Sequence, residues 1–532
     1  DLVVIAHGHK VTLSTNIQST RTGDVTIDGN LHFASGGKMH LHGRMTVQNS
    51  SNNNDTAGEF VEGSTSSGSL LSMVGSSEIK ISGSNSDQHG IQANARKWCG
   101  VDIQGSEPTL VTQLNGEHTY NVNFLTVDSA ANFAAGDLIS VYEREIDYRR
   151  EADECFRVVD VDTSNNRIYF RRFISPEATI SAFSGSTITV DDARVFRVGY
   201  TLVFGTGTNR NVLKISSINA NVITLASAVT GSVVGEKVCQ TGTIVHHKDD
   251  AFVRRTATTN TVAIVGSDAQ RVITVANVSD FNVGDEIVLD AISNTNVNYT
   301  SGSENNSWRI NILYTISSIS GNNITVDRDI VYDSIVGCYV IRMTRDIVIK
   351  ACDSSGNDIA IGDQDTARVF FNVKYWTSNT WSNAPTRRVK IKYVRFKDLG
   401  YKTGDTTNFR SGVNIAGYNG IFREDLDGSS HTQSTIHSTS GSSQTGENYV
   451  DGCAVTAYAL SSNPTRDGDS YPSLTIRHPY GNVDRNNVIV GSGRGYWRWS
   501  SGYHVKSYGT ISMVANYIAI SHEAMYNTNC SA

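Results

Sequence analysis

The feature that most constrains the fold is a unit that occurs three times between Leu125 and Val331. Each copy reads as a strand, a Phe-x-x-Gly turn, a second strand, a variable loop, and two strands joined by an Asn-containing turn. Glycine permits the positive φ of a tight turn, and Asn favours the hairpin connection. We therefore interpret each phenylalanine as the core plug of a small β-barrel or sandwich. The anchors are Phe133/Gly136, Phe196/Gly199 and Phe281/Gly284, and the turns lie at Asn165–Asn166, Asn219–Asn221 and Asn322–Asn323.

Short strands without intervening helices flank this repeat on both sides. In "DVTIDGNLHF" the apolar Val25, Ile27, Leu31 and Phe33 alternate with polar residues, which indicates a sheet with one buried face. Near the other end, "NNVIVGSGRGYWRW" and "MVANYIAISHEAMYN" align with Asn487 opposite Asn516, and Cys453 takes the same place one coil earlier. A repeat of roughly 29 to 34 residues built from short strands predicts the coils of a right-handed parallel β-helix.

The predicted fold class is all-β, with right-handed parallel β-helix or β-solenoid segments and three inserted small β-barrel-like modules. "RRVKIKYVRFKDLG" reads as one alternating strand that ends at a glycine. The predicted domains are an N-terminal glycine-rich β-solenoid domain (1–120), module 1 (121–180), module 2 (181–244), a linker with module 3 (245–345), and a C-terminal β-helix (346–532) with a long Ser/Gly/His-rich loop at 403–448.

Charge and hydropathy exclude several classes of partner. The net charge is −7 and the pI is about 6.1, which argues against binding to nucleic-acid phosphates. No apolar run of about 18 residues is present, so we expect no membrane span. No signal peptide is visible and the chain begins at Asp1, so we expect a processed start or a piece of a longer polypeptide. The seven cysteines are widely spaced, which favours free buried thiols, and stand at 99, 155, 239, 338, 352, 453 and 530.

Three histidines, His32, His40 and His42, fall close together in "DGNLHFASGGKMHLHGRM". A His-x-His pair on a strand places two imidazoles on one side, as some metal sites require, but no further ligand stands at a suitable spacing. We interpret the three as the outward face of a sheet. In "VHHKDDAFVRR" the residues His246, His247, Asp249 and Asp250 are also unsuited, because neighbours along a strand alternate faces. We predict no metal and no cofactor.

Aromatic and basic residues alternate near the C-terminus and form the predicted glycan-binding site, because aromatic rings stack on sugars and guanidinium groups hold acidic groups. The alternative is that the rings fill the coil while the arginines pair with nearby acids. Glycosidic cleavage would need two carboxylates, and Asp484 and Glu523 are the candidates. Asp467 and Asp469 are further acids near the cluster, although a turn explains them better than a calcium loop. The glycan-binding candidates are Arg494, Tyr496, Trp497, Arg498, Trp499 and Tyr503.

Two stretches resemble known families. "DLVVIAHGHKVTL" with the strands that follow it resembles the glycine-rich β-domain of fibrocystin-like proteins and of the cell-migration-inducing hyaluronidase family. "VKIKYVRFKDLG", "VDGCAVTAY" and "GRGYW" resemble the β-helix that follows that domain. The hyaluronidase resemblance implies glycan cleavage, but no catalytic residue of that family matches a position here. The combination with the modules resembles large virion proteins of tailed phages, notably cyanobacterial myoviruses.

These observations predict a virion structural protein, such as a tail fibre or tailspike-like appendage that contacts host surface glycans. The expected partners are further copies of the chain, as a homotrimer or another homo-oligomer, other virion proteins and a host glycan. One alternative is a polysaccharide depolymerase, and another is a secreted bacterial surface adhesin located at the cell surface. We favour a role without catalysis, in the virion.

Overall fold

The computed structural model describes residues 2–6, 8–47, 69–82, 90–94, 99–109, 111–118, 124–142, 154–172, 177–240, 251–290, 313–330, 333–358, 368–373, 388–399, 413–417, 448–457, 472–477, 482–499, 506–508, 511–522 and 529–531. Within these ranges the regular structure is almost entirely β, and the helical turns are short 3-10 turns at Ala193–Val195, Gly207–Asn209 and Gly266–Asp268. No helix in the described part of the chain is long and apolar enough to cross a membrane.

The first part of the chain winds into stacked coils. Its strands are β1 (Val3–Ile5), β2 (Lys10–Leu13), β3 (Asn16–Thr22), β4 (Val25–Ile27), β5 (Asn30–Phe33), β6 (Lys38–Leu41), β7 (Arg44–Val47), β8 (Ser69–Val74), β9 (Glu78–Ser82), β10 (Gly90–Asn94) and β11 (Cys99–Gln104). Every third strand pairs in parallel, which gives a first sheet from β1, a second from β2 and a third from β3. As predicted, Val25, Ile27, Leu31 and Phe33 are buried in the common core.

Module 1 follows β11 and is antiparallel. Its strands are β12 (Val111–Gln113), β13 (Phe124–Thr126), β14 (Leu138–Tyr142), β15 (Glu154–Asp162) and β16 (Arg167–Arg172). β13 pairs with β16, β16 with β15, and β15 with β14. An isolated bridge between Leu114 and Val127 connects the start of the module to β13.

Module 2 is a closed barrel. Its strands are β17 (Glu177–Ser184), β18 (Thr187–Val190), β19 (Thr201–Phe204), β20 (Asn211–Asn219), β21 (Val222–Leu225) and β22 (Lys237–Gln240). The order around the barrel is β17-β18-β21-β20-β19-β22. A separate hydrophobic core fills it.

Module 3 shares a strand with module 1. Its strands are β23 (Phe252–Thr259), β24 (Val272–Thr274), β25 (Glu286–Leu289), β26 (Leu313–Ser320), β27 (Asn323–Val326) and β28 (Tyr339–Arg342). β23 pairs with β14 and β12 of module 1 and, through Thr258 and Thr259, with β28 of module 3. One strand therefore ends the first module and begins the third, and the two modules form a single 11-stranded sheet.

The three Phe-x-x-Gly turns have the same backbone geometry. Phe133, Phe196 and Phe281 are 5%, 4% and 7% exposed and belong to three separate cores, as the sequence predicted. The glycines that follow them have φ values of 92°, 88° and 91°. Each glycine N–H donates to the carbonyl of a bulged residue on the neighbouring strand, namely Val158, Ile215 and Ile316.

Beyond the modules the parallel coils resume. The strands are β29 (Ile347–Cys352), β30 (Arg368–Val373), β31 (Arg388–Lys392), β32 (Val394–Leu399), β33 (Val413–Gly417), β34 (Asn448–Asp451), β35 (Ala454–Ala457), β36 (Pro472–Arg477), β37 (Asn482–Arg485), β38 (Val488–Trp499), β39 (Lys506–Tyr508), β40 (Ile511–His522) and β41 (Asn529–Ser531).

The two solenoid segments form one continuous stack. β29 pairs with β9, β30 with β10, and β31 with β11, all in parallel. Residues of both segments also share one hydrophobic core. The modules are therefore an insertion between β11 and β29 of a single coil. The sequence had suggested two solenoid domains in series.

Three local expectations differ from the structure, and a fourth is confirmed. "RRVKIKYVRFKDLG" is two strands, because the chain turns a corner at Tyr393, whose φ is 54°. The segment 403–448, expected to be a loop, contains β33, which pairs with β30 and β36. The alignment of Cys453 with Asn487 is confirmed by the Cys453 N–H bond to Asn487 Oδ1. Asn516 is not opposite Asn487, because Ser492 pairs with Ala515.

Candidate functional site

The modules pack on the outer side of the solenoid through an apolar contact. Leu138 of module 1 and Val288 and Ile341 of module 3 form one buried cluster with Ala454 and Val488 of the third sheet. Ala454 lies in register with Arg395 and Val488 along that sheet. This contact fixes where the polar groups of the modules meet the solenoid.

A buried ion cluster lies beside this contact, where module 1 meets the end of the second sheet. Arg254 of β23 is 2% exposed, and its Nη1 donates to Asp451 Oδ1 at 3.0 Å. Its Nη2 donates to Glu107 Oε2 at 2.7 Å. Arg485 Nε lies 3.1 Å from the other oxygen of Asp451, whose residue is fully buried. Burial alone would raise the pKa of Asp451, but Arg485 and Arg254 hold it well below its usual range.

Two tyrosines complete this cluster, which we call the junction (Glu107, Tyr142, Arg254, Tyr393, Asp451, Arg485). The Tyr142 ring lies between two guanidinium groups, 4.6 Å from Arg254 Cζ and 4.5 Å from Arg485 Cζ. The Tyr393 hydroxyl accepts a bond from Arg254. Tyr393 occupies a left-handed conformation that a bulky side chain rarely adopts, so the surrounding contacts hold this corner in place.

A second ionic contact connects module 3 to the third sheet. Glu286 Oε2 lies 2.9 Å from Arg395 Nε, and its Oε1 lies 3.1 Å from Lys397 Nζ. Burial raises the pKa of Glu286, but Arg395 and Lys397 outweigh that effect and lower it from 4.5 to about 2.

This lowered pKa predicts an acid-dependent stability. The folded-state pKa is below the unfolded value, so the stabilisation is complete above pH 4.5 and is lost as the pH falls toward 2. Between pH 4.5 and pH 2, we expect the free energy of unfolding of Glu286→Gln to fall by about 3 kcal/mol less than that of the wild type. The measurement is the urea midpoint of both proteins across that pH range. Glu236→Gln, at an exposed position of module 2, is the control. If Glu286→Gln lost as much stability in acid as the wild type, the lowered pKa of Glu286 would be contradicted.

The first sheet contains a row of a different character, because all nine residues in it are uncharged. Thr26 and Thr46 are half-buried and stand between buried neighbours, so their row is the outer one. Strand pairing continues this row through the later coils. Its members, in register, are Val4, Thr26, Thr46, Gln92, Phe370, Asn414, Thr475, Trp497 and Ser521.

The structure places most of the predicted glycan-binding residues on one strand but in different rows. Arg494, Tyr496, Trp497, Arg498 and Trp499 all belong to β38. Trp497 lies in register with Thr475, in the row that includes Thr26 and Thr46. Tyr496 pairs with Leu474, in the row that begins with the buried Val25 and Met45.

Only one of the two carboxylate candidates lies within the described residues. Asp484 lies on β37 in register with Val450, a core residue that is 3% exposed. Glu523 lies outside the described residues, as do Tyr503, Asp467, Asp469 and the His246–Asp250 stretch.

The three histidines of the third and second sheets differ in burial. His42 is exposed and His32 is half-buried, but His40 is 3% exposed, so the expectation of an exposed face was wrong for His40. Its Nε2 lies 2.7 Å from Ser82 Oγ and 3.6 Å from Cys352 Sγ, beneath the turn that contains Gly356. Burial, with Arg21, lowers the pKa of His40. Among the described residues, no group of three or more His, Cys, Asp or Glu side chains is arranged to hold a metal.

The junction was not predicted from the sequence. Arg254 and Asp451 are 197 positions apart, and neither belongs to a recognisable motif. The only local signal is the pair of basic residues at alternate positions of β31, Lys390 and Lys392, which face the same side of the second sheet. Cys155, Cys239, Cys338, Cys352 and Cys453 are free, as expected, and all are buried except Cys155, which is half-buried.

Comparison with known proteins gives distant structural similarity. No protein-family model matches the chain, and no curated protein matches its sequence. It is similar at 10% identity to the Gp54 tailspike of Acinetobacter baumannii bacteriophage AP22, solved with an A. baumannii capsular saccharide, over 90% of this chain and 53% of that one, with a TM-score of 0.13. It is also similar at 10% identity to the tailspike protein gp49 from Pseudomonas phage LKA1, over 90% and 50% of the two chains, with a TM-score of 0.12. The chain thus spans about half the length of each tailspike.

Proposed function

We propose that the chain is a structural, glycan-binding appendage protein of a tailed-phage virion. The observation that carries the proposal is the row of uncharged residues in the first sheet, which faces outward at Thr26 and Thr46 and continues in backbone register to Trp497. Hydroxyl, amide and aromatic side chains in regular spacing suit the hydroxyl groups and apolar faces of successive sugars. The parallel solenoid supports this role, because stacked coils pair their backbone groups and make a stiff rod.

Several finer parts of this proposal come from the sequence. We propose a homotrimer that attaches to other virion proteins and recognises a host-surface glycan, as the resemblance to virion proteins of tailed phages implies. We also retain the boundaries of the three modules as a proposal. In this scheme the tryptophans of β38, Trp497 and Trp499, contact sugar rings.

The depolymerase alternative has less support. Asp484 lies in register with Val450, which is 3% exposed, and this register does not favour Asp484 as a carboxylate that must reach a glycosidic bond. Sizing of glycans after incubation distinguishes the alternatives, because only an enzyme shortens them.

The test is binding of the full chain to an array of bacterial surface glycans, with sedimentation analysis of its oligomeric state. We expect binding without shortening of the glycan, by a trimer. Trp497→Ala is expected to raise Kd about tenfold or more, as for a buried aromatic anchor. Phe183→Ala, which removes a 36% exposed ring from module 2, is the control and should leave Kd unchanged. Absence of binding to every glycan would overturn the proposal.

A further inference from the structure

Three side chains on the outer side of the third sheet are buried. Alternate residues of β6, β9 and β29 belong to the hydrophobic core of the solenoid, for example Leu41 and Ile81. The side chains of His40, Ser82 and Cys352 therefore point to the opposite, outer side. His40 is nevertheless only 3% exposed, and Ser82 and Cys352 are both 0% exposed. Another part of the chain must cover them.

The cover is the turn that follows β29, which we call the strap (353–358). A Cβ atom on Gly356 would lie 3.5 Å from His40 Nδ1, so the turn passes directly over the imidazole ring. The strap folds back on the end of β29 through an isolated bridge between Cys352 and Asp358. It is therefore a short turn whose one face rests on the His40 ring.

Lysine side chains of three neighbouring strands hold the strap in place. Lys80 Nζ donates to the Gly356 carbonyl oxygen at 2.9 Å. The carboxylate of Asp358 accepts from Lys350 Nζ at 2.7 Å and from Lys397 Nζ at 3.0 Å. Burial raises the pKa of Asp358, but the two lysines outweigh that effect and lower it to about 2. These ion pairs therefore keep their charges in mild acid.

The His40 ring is poorly placed to carry a charge. Its Nε2 lies 2.7 Å from Ser82 Oγ and 3.6 Å from Cys352 Sγ, and His42 Nδ1 lies 3.0 Å from the same Ser82 oxygen. Burial raises the pKa of Cys352 to about 12, so its thiol stays neutral and cannot balance an imidazolium. A charged ring carries an N–H at both nitrogens, and one of them, Nδ1, faces the strap.

Most of the charged groups near the ring are basic. Arg21 of β3 and Lys80 of β9 lie in register with His40, and His42 stands two residues further along β6. Asp353 of the strap favours a charged ring, but its carboxylate already accepts N–H groups within the strap, which lower its pKa. Burial has the largest effect on the pKa of His40 and lowers it, and Arg21 follows.

We propose that the strap is a latch, closed over His40 at neutral pH and opened in mild acid when the ring takes up a proton. Because the pKa of His40 is lower in the closed state than its ordinary value of 6.5, the closed state is fully favoured above pH 6.5 and loses stability as the pH falls through the lower value. The loss expected from Glu286 begins only at pH 4.5. The latch is a further property of the fold and does not depend on the glycan-binding function.

The test is the rate at which Cys352 of the full chain reacts with dithiodipyridine at about pH 7.5 and about pH 5, on either side of the ordinary pKa of histidine. Peptide mass spectrometry separates Cys352 from Cys453, which is also 0% exposed and whose pKa burial also raises to about 12. The ratio of the two rates therefore cancels the effect of pH on the thiols themselves. We expect this ratio to rise about threefold or more at the lower pH.

Two variants assign the effect to one ring. His40→Gln removes the titrating group and keeps an amide that can bond Ser82, so its ratio should be the same at both pH values. His32→Gln is the matched control, because His32 Nδ1 lies 2.9 Å from Ser72 Oγ and burial also lowers its pKa, but it belongs to the second sheet. Its ratio should rise as in the wild type. A constant ratio in the wild type, or an equal rise in His40→Gln, would overturn the proposal.

A second readout decides the case in which His40→Gln reacts quickly at both pH values because the smaller side chain leaves the strap open. Exchange of the Cε1 hydrogen of His40 in heavy water, followed by peptide mass spectrometry, gives the pH at which the wild-type ring titrates. We expect the reactivity of Cys352 to rise between pH 6.5 and that pH, and to stay constant below it. A ring that titrates at or above pH 6.5, or a rise confined to lower pH, would overturn the latch.

Discussion

Replacing Asp451 with asparagine is expected to lower the free energy of unfolding by about 3–5 kcal/mol, the usual effect of removing one partner from a buried ion pair. Asp451 is fully buried and is the carboxylate that Arg254 and Arg485 share. The variant leaves two guanidinium groups in the interior with one neutral amide between them. Because Arg254 belongs to the strand that modules 1 and 3 share, we expect the contact between modules and solenoid to open first.

The measurement is urea unfolding at neutral pH, combined with limited proteolysis of the folded variant. Asp192→Asn is the control, because Asp192 pairs with Arg194 at an exposed 3-10 turn, and its midpoint should match the wild type. A double-mutant cycle with Arg254→Gln then gives the coupling energy of the pair. A midpoint of Asp451→Asn that equals the wild type would show that the junction does not stabilise the fold.

The second large effect is expected from Phe196→Ala, which should destabilise module 2 by about 3–5 kcal/mol, as for other buried phenylalanines. Phe196 is 4% exposed in a core that belongs to the closed barrel alone. The loss should therefore stay within that barrel. We expect new protease cleavage between residues 177 and 240, while the unfolding transition of the solenoid keeps its midpoint.

Val198→Ala is the matched control for this experiment. It lies two residues further along the same turn, and its side chain is 57% exposed, so its truncation should leave the protease pattern unchanged. A shift of the solenoid transition in Phe196→Ala would show that the barrel and the solenoid unfold as one unit.

Local patterns were predictable from the sequence because the chemistry that produces them is local. The Phe-x-x-Gly turn requires a glycine with positive φ and a phenylalanine that reaches the core, and both are visible within four residues. The alternation of Val25 and Ile27 likewise identified the core face of the solenoid. Even the equivalence of Cys453 and Asn487 was visible, since both stand at the same corner.

The coil boundaries were harder to predict, because a corner can be made by different residues. Tyr393, Gly452 and Asn486 occupy successive corners with φ values of 54°, 63° and 54°, and only one of them is glycine. The alternating pattern of residues therefore predicts a strand that continues through Tyr393. The coil that follows Val488 is shorter than the predicted repeat of roughly 29 to 34 residues, because Val488 pairs with Ile511, and Asn516 was therefore misplaced.

The candidate site was predicted only in part. The strand that carries Trp497 was identified, but its register against eight other strands decides which residues share a row, and such register is not local. The junction unites β23 with β34 and β37, and single arginines and aspartates give no signal of such pairing. The lysines of β31 were visible as an alternation without any indication of their neighbours.

The position of the modules inside one coil has a consequence for the order of synthesis. When the ribosome has produced β11, the open edges of β9, β10 and β11 have no partner until β29, β30 and β31 emerge much later. Pairs so distant in sequence form slowly, whereas the hairpins of the modules form from neighbours. The three modules should therefore fold on the nascent chain before β29, β30 and β31 pair with β9, β10 and β11. The folded modules bring β11 and β29 close together, which lowers the entropic cost of closing the loop between them.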